Sequence, residues 1–206
     1  MTDRDFQLIE KTTPFQGYFR IDLYRFRHRL FAGGWSDEIR REVFERGHAV
    51  AVLPYDPERD VVLLIEQFRI GAVAAHMPAW QTEVVAGIID EGEMPEGVAH
   101  REAEEEAGCQ IQELVPMLRY LVSPGGTSET CQLYCGRIDS RGLGGIHGLA
   151  AEHEDILVQA APFAQARERL LAGRIGNAAA VIALQWLMLN RETLRERWLG
   201  LGAARG

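Results

Sequence analysis

Residues 101–108, "REAEEEAG", place four glutamates within five positions: Glu102, Glu104, Glu105 and Glu106. Like charges at helical spacing repel by a few tenths of a kcal/mol per pair, roughly 0.2–0.5, so the crowding calls for positive charge nearby. At about 100° per residue, Glu102, Glu105 and Glu106 share an arc of roughly 100° on a helix, while Glu104 points away. Ala103 and Ala107 are small enough to let such a helix lie close to a sheet. Three carboxylates on one face suit a hard divalent cation, and Mg²⁺ in particular takes a few carboxylates together with water and substrate phosphate. The competing reading of the run by itself is a solvated acidic face.

The elements that must hold these residues can be read from pattern. Pro95 fits a first helical turn and Gly108 a left-handed position just past the last one, which predicts a helix over 95–107. Its start is weak: Met94 stands where a polar cap is preferred, and Gly97 costs about 1 kcal/mol against alanine. Tertiary packing, metal or both must hold it. Upstream, "YFRIDLYRFRHRLF" (18–31) and "EIRREVFERG" (38–47) read as strands of a small arginine-rich antiparallel sheet. Two apolar runs within 48–70 flank "YDPERD" and predict a hairpin of buried strands. "WQTEVVAG" (80–87) is a further strand, and others follow at 113–122 and 129–138. The stretch 139–156 is long enough to be a functional or mobile loop. Two helices, 162–172 and 177–198, close the chain, the second carrying an apolar core stripe of Ala180, Leu184, Leu187 and Trp198. Strands early and helices late make the fold class α+β.

Composition narrows the function. The 206 residues, 47% hydrophobic and 25% charged, are in the ordinary globular range. A formal charge of −8 argues against a general nucleic-acid binder, which needs a basic footprint. No apolar run approaches about 18 residues, so no membrane span is expected. Cys109, Cys131 and Cys135, with no signal pattern at the N-terminus, fit reduced thiols in a cytoplasm.

The segment "GIIDEGEMPEGVAHREAEEEAGC" (87–109) resembles the signature of the Nudix hydrolases. Gly87, Glu93, Arg101, Glu102, Ala103, Glu105, Glu106, Gly108 and Cys109 stand at its positions, Cys109 as a small hydrophobe. Pro124, fifteen residues after Cys109, and the loop "GIHGLAAEHEDI" (145–156) resemble the ADP-ribose pyrophosphatase branch in its bacterial form. The chain departs from many relatives in having Val85 where they have proline.

The resemblance implies an α/β/α sandwich of mixed sheet and helices over 48–206, extended by an N-terminal antiparallel sheet over 1–47 that swaps between the subunits of a homodimer. It implies two or three Mg²⁺ per site, with Mn²⁺ as an alternative. The metal ligands would be Glu102, Glu106, Glu154 and the carbonyl of Ala86. Glu152 would be the general base and Glu105 a second catalytic carboxylate acting near the metal or through water. Glu93 and Arg101 would pair to brace the loop against the helix, with Gly87 and Gly108 structural. Tyr18 would stack on adenine, Arg41 and Arg69 would meet adenine or phosphate, and Glu129 would touch the terminal ribose. The implied reaction is hydrolysis of ADP-ribose to AMP and ribose 5-phosphate. The alternatives are a nucleoside diphosphate sugar such as GDP-mannose as substrate, or a silent nucleotide sensor on the same fold. His153, between two of the proposed site glutamates, is read as ordinary.

Overall fold

The computed structural model describes residues 5–201, the side chain of Glu152 excepted. The chain divides into two compact units, one running to His48 and taking in Leu121–Thr130, the other comprising Ala49–Tyr120 and the rest of the chain from Cys131.

The first unit is a three-stranded antiparallel sheet in the order β1 (Phe6–Gln16), β2 (Arg20–His28), β3 (Ile39–Glu45). Its one fully buried acid, Asp22, is neutralised by Lys11 at 2.8 Å and Arg20 at 3.1 Å, and accepts the Thr13 hydroxyl at 2.7 Å. The early arginines were expected to build this sheet, and they do. β1 lies within the antiparallel sheet expected over 1–47, although no strand was placed at those residues: every residue of "FQLIEKTTPFQ" is exposed and no alternation of apolar and polar marks it.

The second unit holds β4 (His48–Asp56), β5 (Val61–Phe68), a short helix α1 (Ile70–Ala74), β6 (Trp80–Glu83), β7 (Val85–Ile89), helix α2 (Pro95–Ala107), β8 (Glu113–Leu121), β9 (Thr130–Arg137), β10 (Gly145–His147), β11 (Ile156–Pro162), α3 (Phe163–Leu171) and α4 (Ala178–Leu199). The sheet runs β10-β11-β5-β4-β9-β8, with β6 paired to β5 and β7 to β4. Only β4 and β9 pair in parallel among the registers resolved, Ala51 facing Leu133 and Leu53 facing Cys135; β11, β5 and β6 pair antiparallel.

Successive side chains of a strand point to opposite faces, and β4 and β5 bury both. Ala51, Leu53, Tyr55, Val62 and Leu64 enter one core with α3 and α4, where Ala180, Leu184, Leu187 and Trp198 are buried as the stripe predicted. Val50, Val52, Leu63 and Ile65 enter a second core with Val98, Ala99, Ala103 and Ala107 of α2. Helices thus cover both faces of a mixed sheet, which is the α/β/α sandwich. Burial on both sides also explains why these strands read as unbroken apolar runs.

The connection between β4 and β5 is pinned by its acids. Asp56 accepts the backbone N–H groups of Glu58 and Arg59 and the Ser140 hydroxyl at 2.7 Å, and Asp60 takes both arms of Arg191 from α4. α2 begins on Pro95 with no side-chain cap at Met94, and ends where Gly108 turns left-handed at φ +58, its N–H on the Glu104 carbonyl at 3.0 Å. The stretch expected as a single loop over 139–156 contains β10 and a 3-10 turn, Ala150–Glu152. Ala103, fully buried on the face of α2 that packs against the sheet, has no room to grow. Ala103→Leu should lower stability by about 1–3 kcal/mol through overpacking, read from urea unfolding, and should reduce activity by shifting the glutamates on the same helix.

Candidate active site

The acidic face of α2 is arranged as its spacing predicts: Glu104 is exposed, Glu102 and Glu105 are half-buried, and Glu106 is only 3% exposed. The buried pair meets β7. Glu106 Oε2 accepts the N–H of Ala86 at 3.0 Å. Glu102 lies so close over the next residue that a Cβ placed on Gly87 would stand 2.0 Å from its Oε1. Gly87 is therefore required by contact, since any side chain would occupy the place of the carboxylate.

Both acids have been drawn out of water, and burial pushes their carboxyls up, Glu102 to about 7 and Glu106 to about 8. Arg101 opposes the shift at Glu102, and the Ala86 N–H opposes it at Glu106; Glu102 and Glu154 add to the negative field at Glu106. Arg101 reaches Glu102 at 2.8 Å, Glu105 at 3.1 Å and Glu93 at 3.6 Å. The expected Glu93–Arg101 brace is thus present as the longest of three ion pairs. Glu93 also accepts the Asp90 N–H at 3.0 Å, which holds the turn before α2.

The loop glutamates sit between β10 and β11. Glu154 accepts the Leu149 N–H at 3.0 Å, and its charge is felt at Glu102, Glu106 and Arg69. Glu152 ends the 3-10 turn, while its side chain lies outside the described residues. His153 takes a left-handed backbone at φ +58 and serves as the turn's end.

The four residues expected to hold substrate are divided. Tyr18, Arg41 and Glu129 belong to the first unit, Arg69 to the second. Tyr18 is 89% exposed and meets Phe19 edge-on, with ring centroids 4.7 Å apart. Arg41 is exposed, its guanidinium donating to the Arg40 carbonyl at 2.7 Å. Glu129 is buried, 3.7 Å from Arg46. Arg69 is engaged through Nε and Nη2 by Glu83, the shorter contact being 2.9 Å. Glu83 is a site-adjacent acid that the motif reading passed over, as is Gln67, which donates to it at 3.4 Å. Both are buried; the available signal was a glutamate directly before the apolar run at residues 84–86 in "WQTEVVAG".

Among the described residues no three His, Cys, Asp or Glu side chains converge into a ready-made metal cage. The donor set still fits a hard cation. It is all oxygen, partly desolvated and short of positive charge, and Mg²⁺ is characteristically held by one or two carboxylates with substrate phosphates rather than by an all-protein cage.

The NUDIX domain family matches residues 45–174 of the chain. An ADP-ribose pyrophosphatase of Escherichia coli K12 is 52% identical over 194 residues, covering 94% of this chain and 93% of that protein. One of Haemophilus influenzae is 44% identical, covering 96% and 92%. A GDP-mannose pyrophosphatase of Cronobacter sakazakii is 35% identical over 73% of this chain and 78% of its own. In fold, the chain resembles a solved ADP compounds hydrolase with a TM-score of 0.70 at 20% identity, covering 96% of this chain and 98% of that one.

The raised carboxyls make a linkage prediction. Between the ordinary glutamate range near 4.5 and the folded values of about 7 and about 8, the folded protein keeps protons that the unfolded chain has lost. Stability without metal should therefore fall as pH rises from about 5 to about 8 and level off above that. Thermal unfolding in chelator should show this decline, shallower in Glu106→Gln, which has no such proton to lose, and shallower with saturating Mg²⁺.

Proposed function

The chain belongs to the NUDIX family, and on that premise we propose that it hydrolyses the diphosphate of ADP-ribose to AMP and ribose 5-phosphate. The observation that carries the reading is the pair Glu102 and Glu106, desolvated against Ala86 and Gly87 with more negative charge than Arg101 alone offsets. Similarity along almost the whole chain to two ADP-ribose pyrophosphatases, against a shorter and weaker match to a GDP-mannose pyrophosphatase, supports this substrate over a sugar nucleotide. A silent sensor on the same fold would have no need to keep these acids out of water.

Glu102, Glu106 and Glu154, with the Ala86 carbonyl, would hold Mg²⁺, two or three ions per site or Mn²⁺ in their place. Bound there, the metal supplies charge neutralisation of the diphosphate and lowers the pKa of water. The remaining steps belong to the chain. Glu152 accepts a proton from the attacking water as its oxygen bonds to phosphorus, and the anhydride oxygen departs with the other phosphate. Glu105, tied to Arg101 at 3.1 Å, keeps a carboxylate at the margin of the metal site.

Arg69, with two of three guanidinium nitrogens on Glu83, would offer its remaining donors to phosphate or adenine, and Glu83 sets its direction. Tyr18, Arg41 and Glu129 are assigned to adenine and terminal ribose. The N-terminal sheet, residues 1–47, is read as swapped between the subunits of a homodimer. Cys109, Cys131 and Cys135 are buried and form no disulfide, which accords with a reducing cytoplasm. Among the described residues no helix is long and apolar enough to cross a membrane, and the acidic charge disfavours nucleic acid.

Chromatography of products should show AMP and ribose 5-phosphate from ADP-ribose with Mg²⁺; prompt hydrolysis of GDP-mannose with ADP-ribose left intact reverses the assignment. Replacing a metal-binding acid and the base should give distinct kinetic signatures. Glu106→Gln should abolish measurable turnover, whereas Glu152→Gln should lower kcat by about 10²- to 10⁴-fold with binding retained. Near-full activity of Glu152→Gln would remove the base assignment.

A further inference from the structure

β10 and β11 form a short antiparallel ladder in which His147 faces Ile156, and the eight residues between them include Glu152 and Glu154. This excursion is shaped from within. Glu154 accepts the Leu149 N–H at 3.0 Å, and its own N–H reaches the Leu149 carbonyl at 3.3 Å. Gly148, at φ +102, leaves the space where a Cβ would come within 2.8 Å of the Glu154 Cβ. These contacts fix the loop's form but not its placement on the protein.

Placement comes from its base. The half-buried imidazole of His147 lies against Gly108, the residue that ends α2: a Cβ on Gly108 would stand 2.6 Å from His147 Cε1 and 3.1 Å from Nδ1. The ring's Nε2 is 3.2 Å from the Gly144 carbonyl, an acceptor that requires the N–H on that nitrogen. β10 is three residues long at the sheet edge, and such an element is poorly fixed by backbone pairing alone. The ring fills the gap, joining the loop directly to the helix that carries Glu102, Glu105 and Glu106.

We infer that His147 is a positioning residue: seated in the space left by the absent side chain of Gly108, it locks the 148–155 loop to the end of the glutamate helix and so sets the reach of Glu152. The inference rests on the reading of Glu152 as base. Gly108 then serves two needs, the left-handed φ of +58 and room for the ring. Asparagine separates them, since it tolerates that φ but not the lost space.

The test is steady-state kinetics on ADP-ribose for His147→Ala, Gly108→Asn, their double variant, Glu152→Gln, and His147→Ala combined with Glu152→Gln, with thermal midpoints to establish folding. His147→Ala should lower kcat about 10- to 100-fold, the scale of a catalytic group displaced by about 1 Å, while KM stays within about threefold. It should cost nothing more once Glu152 is already glutamine. Gly108→Asn should lose kcat comparably, and the double variant should be no worse than the poorer single. Should His147→Ala not fold, His147→Gln, which keeps a donor for Gly144 and removes the ring, takes its place with the same expectations. The inference is overturned if the His147 variant keeps kcat within about twofold of wild type while Glu152→Gln remains crippled, or if the two losses multiply. An active Glu152→Gln instead brings down the base assignment, and the positioning role with it.

Discussion

Glu102 and Glu106 are pressed against a strand whose chain has no Cβ at the point of contact, and much of the second unit follows from that arrangement. Drawing a carboxylate from water favours its neutral form, and a second one beside it deepens the effect. Among the described residues the compensation is a backbone N–H from Ala86 and the more distant charge of Arg69 for Glu106, and a partly exposed Arg101 for Glu102. The arrangement requires Gly87, because the carboxylate occupies the position of its side chain. It also requires Ala103 and Ala107, since larger residues would hold α2 off the sheet and let water reach both acids. Two desolvated carboxylates with so little compensation leave this face short of positive charge, a demand that a bound cation would meet.

The basic groups nearby are restrained in the same spirit. Arg101 is shared among three acids and so braces the turn against the helix while only partly offsetting the charge of Glu102. Arg69 is held by Glu83, itself bonded by Gln67, which spends part of its charge and fixes its direction. A free arginine beside Glu106 would collapse onto it; a bound one leaves the carboxylate for other partners. The same economy of contact recurs at the far end of α2, where Gly108 admits the ring of His147. Both motif glycines thus make room for another residue's functional group.

Legibility followed local signals. Pro95 and Gly108 mark the ends of α2 in the sequence, and the runs around "YDPERD" mark the hairpin of β4 and β5, because each is a property of neighbouring residues. The stripe on α4 was readable for the same reason. β1 was legible only as part of an N-terminal sheet and not as a strand of its own, because its residues "FQLIEKTTPFQ" are exposed throughout, and pairing with β2 rather than burial holds it. β10 and β11 were obscured by the glycines and acids around them, and α1, which buries no residue, has no amphipathic pattern to find. Glu83 and Gln67 lie on different strands, and only the return of the chain brings Glu83 to Arg69 and Gln67 to Glu83.

The sequence by itself determined the pattern of the candidate site: the order of acids after Arg101, their phase on a helix, the small residues between them and the glycines at either end. Helical periodicity and steric permissiveness act over a few residues, so they survive in the linear text. Tertiary structure decided which acids lose their water, that Gly87 must lie under Glu102 rather than merely turn the chain, that Arg69 is already engaged, and that His147 rests on Gly108. Those outcomes depend on distances between segments 14 to 39 residues apart in the chain, and desolvation is a property of what surrounds a group, which no local pattern records.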